Sequence, residues 1–361
     1  MPHKTLTVKR VAVICGGKSP EHEISVRSAK NILAAMPREE YEVLLIGVDF
    51  NGAWRLIDEG RLGRFVEEQG DLLALVPAGP DGPLLNLATG RALPAIDAVF
   101  LILHGPNGED GITQGALRLL GLPFVGPDVL GSAVAMDKDV AKRLLSAAGL
   151  NVARGRVLHA HEQRPAYAEV MAELGSPIFV KPANMGSSVG VHKVNNEEQF
   201  ATALEDAFQY DKKVIVEEMI TGRELECAVM GNTFPEVTDI GEIITPDAYT
   251  FDAKYEDEHT AQLLVPTQVT EEERSRLQET ARRAYQALET EVMARVDMFL
   301  TPAGEIYVNE INTLPGFTNI SMYPQLWGDA GIGYTALIRK LLDLAIARYD
   351  QRKKLKTTWR A

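Results

Sequence analysis

The sequence predicts an α/β protein, α+β at its centre, built as three units that begin with a parallel α/β unit. Three observations carry that expectation. Short apolar runs alternate with helical spacing through the first hundred residues, and the runs close on glycine. The middle of the chain mixes short strands and helices in a small α+β block. The length, 361 residues, gives two or three domains at ~150 residues each.

Val11-Ala12-Val13-Ile14 reads as a buried parallel strand that enters a tight loop at Gly16-Gly17. Glu21 to Met36 has helical spacing and stops before Pro37. Val43 to Val48 is a second strand, residues 51–95 read as irregular, and Ala98 to Leu103 is a third strand ending in His104-Gly105. Ligands of such a unit belong at the carboxyl ends of its strands. A helix follows from Asp137 to Ala148, then a strand at Ile178–Pro182, a loop at Asn184–Gly190 and a strand at Val191–Val194. A helix at Glu197–Phe208 and a strand at Val214–Met219 complete that block. The last block holds strands at 224–231 and 236–244, a Tyr/Lys segment at 246–260, a helix at 270–288, a hairpin at 293–312 and a helix at 331–349. The expected units are 1–135, 136–220 and 221–350, with a basic tail at 351–361.

The composition excludes several classes. Net charge is −13, and since the last eleven residues carry five Lys/Arg and no acid, the rest carries −18, which argues against a nucleic-acid partner. The tail itself reads as a solvated, frayed terminus. No apolar run reaches the ~18 residues of a membrane span. MPHKTLTVKR has no apolar core of a signal peptide, and two cysteines, Cys15 and Cys227, make no disulfide framework. A cytoplasmic enzyme is expected.

Candidate motifs divide into weak and strong. Gly17-Lys18-Ser19 imitates the end of a P-loop, but Ala12 stands where its first glycine is needed. Asn184 to Gly190 could wrap phosphates with backbone N–H groups, next to the ammonium of Lys181. The same stretch matches a hydrolase nucleophile elbow at Ser188, with His259 as the base, although a strand rather than a helix follows. His159 and His161 lack a third ligand and read as surface residues. The strongest chemistry lies in the last hairpin. With a turn at Thr301–Gly304, Leu300 faces Glu305 and Arg295 faces Glu310, so Arg295, Asp297, Glu310 and Asn312 share one face. Two carboxylates and an amide oxygen suit Mg²⁺ or Mn²⁺. A surface hairpin with an Arg–Glu pair is the plain alternative.

The chain resembles the D-alanine–D-alanine ligases of the ATP-grasp superfamily. The likeness runs from Val11 to about Arg348: Gly16 to Ser25, Leu103-His104-Gly105 with Gly108 to Gly111, Met136-Asp137-Lys138, Val180 to Ala183, Gly186 to Gly190, Ala294 to Asp297 and Asn309 to Thr318. The resemblance implies a three-domain ATP-grasp architecture and ATP-dependent joining of two D-alanine molecules through a D-alanyl phosphate, in peptidoglycan precursor synthesis. It implies that Glu21 anchors the first substrate's ammonium beside His104, and that Ser321 holds the second carboxylate. Lys138 and Lys181 match phosphate-binding lysines; Glu217 and Glu224 match the readers of adenine and ribose. Arg295 and the N–H of Gly316 match the oxyanion stabilisers, and Asp297, Glu310 and Asn312 the ligands of two Mg²⁺ or Mn²⁺ ions. Tyr255, in a closing loop with Lys254, would bond to Ser187 and Glu21. The intact Lys-Tyr pair points to D-alanine rather than D-lactate as acceptor; a D-alanine–D-lactate or D-alanine–D-serine ligase is the alternative. The family also implies a homodimer. A serine hydrolase or a non-catalytic binding protein are the competing classes. One departure stands out: Glu289-Thr290-Glu291-Val292 replaces the family's usual Gly-Cys-x-Gly.

Overall fold

The computed structural model describes residues 8–79, 81–244, 262–356 and 358–359. In chain order the elements are β1 (Lys9–Gly16), α1 (His22–Ala35), β2 (Tyr41–Val48), β3 (Trp54–Ile57), β4 (Asp71–Leu75), β5 (Leu84–Asn86), β6 (Arg91–Ala92) and β7 (Ala98–Leu101). Helices α2 (Ile112–Leu119), α3 (Val129–Met136) and α4 (Lys138–Ala147) lead to β8 (Gly155–His159), α5 (Tyr167–Leu174), β9 (Ile178–Pro182), β10 (His192–Val194), α6 (Glu197–Tyr210) and β11 (Lys213–Glu218). The rest is β12 (Arg223–Gly231), β13 (Glu236–Ile244), β14 (Gln262–Leu264), α7 (Glu271–Ala287), β15 (Val292–Leu300), β16 (Ile306–Asn312), α8 (Met322–Asp329) and α9 (Tyr334–Lys353).

Three sheets result. The first has the order β6-β5-β4-β3-β2-β1-β7, the second β10-β9-β11-β8 and the third β14-β13-β12-β15-β16. Only the β1 pairings with β2 and β7 are parallel in the first sheet. β1 is buried on both faces, which is why Val11 to Cys15 is an unbroken apolar run. Residues 51–95, expected to be irregular, instead extend this sheet with β3 to β6. Their strands are two to five residues long, and glycines and prolines between them hide the alternation. The first sheet is therefore mixed rather than purely parallel. Helices α2, α3, α5 and α8 and strand β8 are further elements that the periodicity did not reveal.

Side-chain caps set several helix starts. Asp137 accepts from the Val140 N–H at α4, Asn196 from Gln199 at α6, and Thr270 and Glu273 form a capping box at α7. One core joins the first sheet to α8, α9 and the inner ends of β12 and β15. A second packs α7 on the third sheet, and a third packs α5 and α6 on the second sheet. Helix α9 runs past the expected end at residue 349 through Lys353. Its Arg348 is buried, donates to the carbonyls of Gly126 and Phe124 at 2.7 and 2.8 Å, and lies 3.5 Å from Glu291; Arg352 pairs with Asp128. The start of the basic tail is thus helical and anchored. Both cysteines are buried and unpaired. Among the described residues, no helix is long and apolar enough to cross a membrane.

The segment that departs from the family pattern keeps an unusual backbone. Glu289 has φ +53° and Val292 φ +69°, the left-handed region that glycine enters without strain. Glu289 is exposed, whereas Val292 is fully buried. Replacing Glu289→Gly is expected to raise stability by roughly 0.5–1 kcal/mol, because strain is relieved and no packing is lost. Val292→Gly is expected to lower stability, since losing a buried valine costs about 1.5–3 kcal/mol and outweighs the relief. Urea midpoints that move in opposite directions for the two variants check this account; equal shifts would overturn it.

Candidate active site

The site is assembled from the ends of all three sheets. Glu21 lies between β1 and α1 and is 6% exposed. The Ser187 hydroxyl, in the loop between β9 and β10, donates to Glu21 Oε1 and joins that loop of the second sheet to the segment after β1 of the first. Two glycines make room for this carboxylate. A Cβ on Gly186 would stand 2.8 Å from Glu21 Oε2. One on Gly105, where φ is +71°, would collide with the same oxygen and stand 2.7 Å from Ser19 Oγ. The strand ends marked by Gly16-Gly17 and His104-Gly105 therefore do converge.

His104 and Glu109 lie beneath them. Burial drives the His104 imidazole down to about 4, with the Leu314 backbone bond opposing and the Arg295 charge adding, so it is neutral at physiological pH. Its Nε2 is 3.4 Å from Ser28 Oγ. Burial lifts the Glu109 carboxyl to about 7, aided by the charges of Glu21 and Glu310 and opposed by bonds from two backbone N–H groups. Those donors are Gly105 N at 2.9 Å and Leu314 N at 3.0 Å. Glu109 thereby fixes the segment after β16, and α1 fixes it too: Ser28 Oγ accepts from Phe317 N at 3.1 Å, and Asn31 donates to Phe317 O at 3.1 Å. Within that segment Gly316 and Ser321 are neighbours, since a Cβ on Gly316 would lie 2.8 Å from Ser321 Oγ. Ser321 Oγ also accepts from Thr318 N at 2.9 Å.

The hairpin register differs from the expected one. Leu300 faces Ile306 rather than Glu305, which leaves an odd, five-residue connection that alone would bring Asn309 opposite Asp297. A bulge between Asp297 and Met298 restores the parity, so Asp297 faces Glu310 and Arg295 faces Asn312. Arg295 thus does not face Glu310, but all four side chains still share one face. Arg295 grips Asp297 with two bonds of 2.7 and 2.6 Å, and Asn312 donates to Asp297 Oδ2 at 2.8 Å. Glu226, opposite Asp297 on β12 and 1% exposed, lies 3.1 Å from Arg295 Nε. Glu224 occupies the same face of β12, two residues away.

Lysines close the other side. Lys138 donates to the Met185 carbonyl at 2.6 Å and lies 3.3 Å from Glu310. Lys181 lies 2.7 Å from Glu217 Oε2, and Lys142 lies 2.9 Å from Glu217 Oε1. Burial alone would raise the Glu217 carboxyl, but the two ammoniums win and hold it at about 2. The stability this ion group contributes is present above the carboxylate's ordinary 4.5 and is lost as pH falls through about 2. Sequence reasoning gave no role to Glu226, Lys142 or Ser28. The signals were the strand alternation from Glu224, the helical i+4 step from Lys138 and two helical turns from Glu21.

The donor set of Asp297, Glu310 and Asn312 fits a hard divalent cation: all three offer oxygen, and Asn312, donating through its nitrogen, keeps its amide oxygen as an acceptor. Among the described residues no group of three His, Cys, Asp or Glu is placed to hold a metal ion, so a site here combines the two carboxylates with other oxygen donors, for which the Asn312 amide is available. The nucleophile-elbow reading of Ser188 is overturned. Its loop joins antiparallel β9 and β10 with no helix after it, and His259 lies outside the described residues. Lys254 and Tyr255 also lie outside them.

Comparison with known proteins agrees along the chain. The family models "D-ala D-ala ligase N-terminus" and "D-ala D-ala ligase C-terminus" match residues 10–127 and 144–343. The chain is 49% identical to D-alanine–D-alanine ligase A of Escherichia coli (strain K12), covering 97% of this chain and 99% of that protein. It superposes on the D-alanine–D-alanine ligase of Coxiella burnetii with a TM-score of 0.85 and 36% identity over 96% of each chain. A D-Ala:D-Ser ligase from Enterococcus faecalis gives 0.84 at 34% identity, over 94% of this chain and 100% of that one.

Gly105→Ala is expected to cost ~1 kcal/mol more than Gly90→Ala. Both positions have left-handed φ, +71° and +64°, but the space at Gly90 is open while Gly105 backs onto Glu21. Denaturant unfolding of the two variants checks this; equal losses would mean that Glu21 is free to move aside.

Proposed function

The chain belongs to the D-alanine–D-alanine ligase family, and on that premise we propose that it joins two D-alanine molecules into D-alanyl-D-alanine with ATP, through a D-alanyl phosphate. A carboxylate is a poor electrophile because its leaving group would be oxide; phosphorylation makes that group phosphate. The observation that carries the reading is that Glu21–Ser187, Arg295–Asp297–Asn312 and Lys138–Glu310 lie in one region, linked through the Lys138 bond to the Met185 carbonyl. It unites an ammonium-binding carboxylate, an oxygen-rich cation site and phosphate-directed lysines.

Each residue has a part. Glu21 accepts the ammonium of the first D-alanine, and neutral His104 beside it adds no competing positive charge. Lys138 and Lys181 neutralise phosphate oxygens as point charges. Glu217 and Glu224 face the base and ribose. Arg295 and the Gly316 N–H stabilise the oxyanion as the second amine attacks, while Ser321 holds the second carboxylate. Asp297, Glu310 and Asn312 would hold two Mg²⁺ or Mn²⁺ ions, which when bound supply charge neutralisation to the phosphates. Lys254 and Tyr255 belong to the loop that excludes water from the acyl phosphate, together with Ser187 and Glu21. The same family reading supports a cytoplasmic homodimer serving cell-wall precursor synthesis, and units bounded near residues 135, 220 and 350.

Phosphate release from ATP tests the reaction. It is expected to require D-alanine and to be absent with L-alanine or no amino acid; release without an amino acid would overturn the proposal. Glu310→Gln is expected to lower turnover at least about 100-fold while leaving the far-ultraviolet circular dichroism unchanged, because it removes charge from the cation site. With equal D-alanine and D-lactate near neutral pH, the amide product is expected to predominate, read by mass spectrometry; mostly ester would overturn the choice of acceptor.

A further inference from the structure

Lys142 has no part in the reaction as assigned above, yet its surroundings are unusual. It projects from α4 one turn beyond Lys138 and is 8% exposed. Its ammonium has one ionic partner, Glu217 Oε1 at 2.9 Å, and no hydrogen bond meeting ordinary geometry. Burial pushes this ammonium below its ordinary range, against the pull of Glu217. Two ammoniums therefore share one carboxylate in a dry place, an excess of positive charge that is costly without a further anion.

The two lysines are not equivalent. Lys181 sits on β9, which leads directly into the glycine-rich loop at 184–190, whereas Lys142 reaches Glu217 from helix α4. From β8 the residue opposite Glu217 is Gly155, which brings no side chain. Among the described residues, the charged groups acting on Glu217 are thus Lys142 and Lys181, and Lys142 in turn feels Glu310, itself paired with Lys138. If Lys181 moves its ammonium to an incoming nucleotide, Lys142 is the cation left on Glu217 among the described residues. Without it, burial would favour the protonated carboxyl, which can donate as well as accept. An ionised carboxylate only accepts, so it favours a base edge that carries an amino group over one that carries an oxo group.

We propose that Lys142 is a positioning residue for nucleobase selection: it stays as the counter-ion of Glu217 while Lys181 engages the nucleotide, so that Glu217 meets the base as a pure acceptor and selects a 6-amino over a 6-oxo purine. The proposal rests on the reading above that Glu217 and Lys181 face the nucleotide.

The test measures D-alanine-dependent phosphate release by the full chain with ATP and with inosine triphosphate, from pH 6 to pH 9. Wild type is expected to prefer ATP by a ratio that does not change with pH. In Lys142→Met the ATP preference in kcat/KM is expected to fall about tenfold at the acid end, mostly through KM, and to recover as pH rises and Glu217 loses its proton. Lys142→Arg is expected to restore the flat profile. If the methionine variant folds poorly, Lys142→Gln, which keeps a donor without the charge, is expected to show the same pH-dependent preference. A flat, wild-type preference in both uncharged variants, or an equal loss with both nucleotides at every pH, would overturn the role of Lys142. Glu217→Gln separates the two levels. If it leaves the ATP preference intact, the assignment of Glu217 to the base fails and the proposal fails with it. If it abolishes the preference while Lys142→Met keeps it flat, only the proposal fails.

Discussion

A charge taken out of water has to meet its opposite, and that requirement shapes the region where the second and third sheets meet helix α4. Arg295 answers Asp297 and Glu226 within the third sheet; Lys138 joins α4 to Glu310; Lys142 and Lys181 enclose Glu217 on the second sheet. None of these groups could be buried alone without a penalty of several kcal/mol. Each is a pair or triad in which the partners hold one another in place.

The segment after β16 depends on a different constraint, the need to satisfy backbone groups that no sheet or helix serves. Glu109 accepts from Leu314 N, Ser28 from Phe317 N, and Asn31 donates to Phe317 O. The aromatic side chain of Phe317 is fully buried against Phe100 and Tyr323. A loop belonging to the third sheet is thus held by residues of the first. Arg348 strengthens the same junction from α9, bonding the carbonyls of Phe124 and Gly126, and Gly126 in turn packs closely on Leu314. The oxyanion role proposed for the Gly316 N–H therefore rests on side chains far away in sequence.

The sequence made some of this legible and hid the rest for identifiable reasons. β1, α1 and β9 were readable because burial imposes a run or a period on the residues themselves. Strands β3 to β6 were not, because short antiparallel edges owe their pairing to neighbours more than to their own pattern. The shared face of Arg295, Asp297, Glu310 and Asn312 was foreseen, but by an argument that the structure corrects. The connection is odd, and the bulge beside Asp297 repairs it. A bulge leaves no mark in one sequence that periodicity can detect. Glu226 and Lys142 were hidden differently, since a buried ion looks like a surface ion until its partners are known.

The turn at 289–292 shows how a motif can be lost while its geometry is kept. Glycine is common where φ is positive because it has no Cβ to clash, not because the position needs an absent side chain. Here the backbone enters the left-handed region at Glu289 and again at Val292, the two places where the family pattern has glycine. Other contacts must hold the chain there. Thr290 donates its hydroxyl to the Tyr285 carbonyl, Glu291 meets Arg348, and Val292 buries its side chain completely. Gly131 of α3 lies so close to the Glu289 backbone that a Cβ there would stand 2.5 Å from its carbonyl oxygen, so the helix fits only this course of the turn. Three residues further on, the strand sets Arg295 opposite Asn312 and Asp297 opposite Glu310. The departure from glycine is thus carried by packing around the turn, and strand β15 that follows keeps its register.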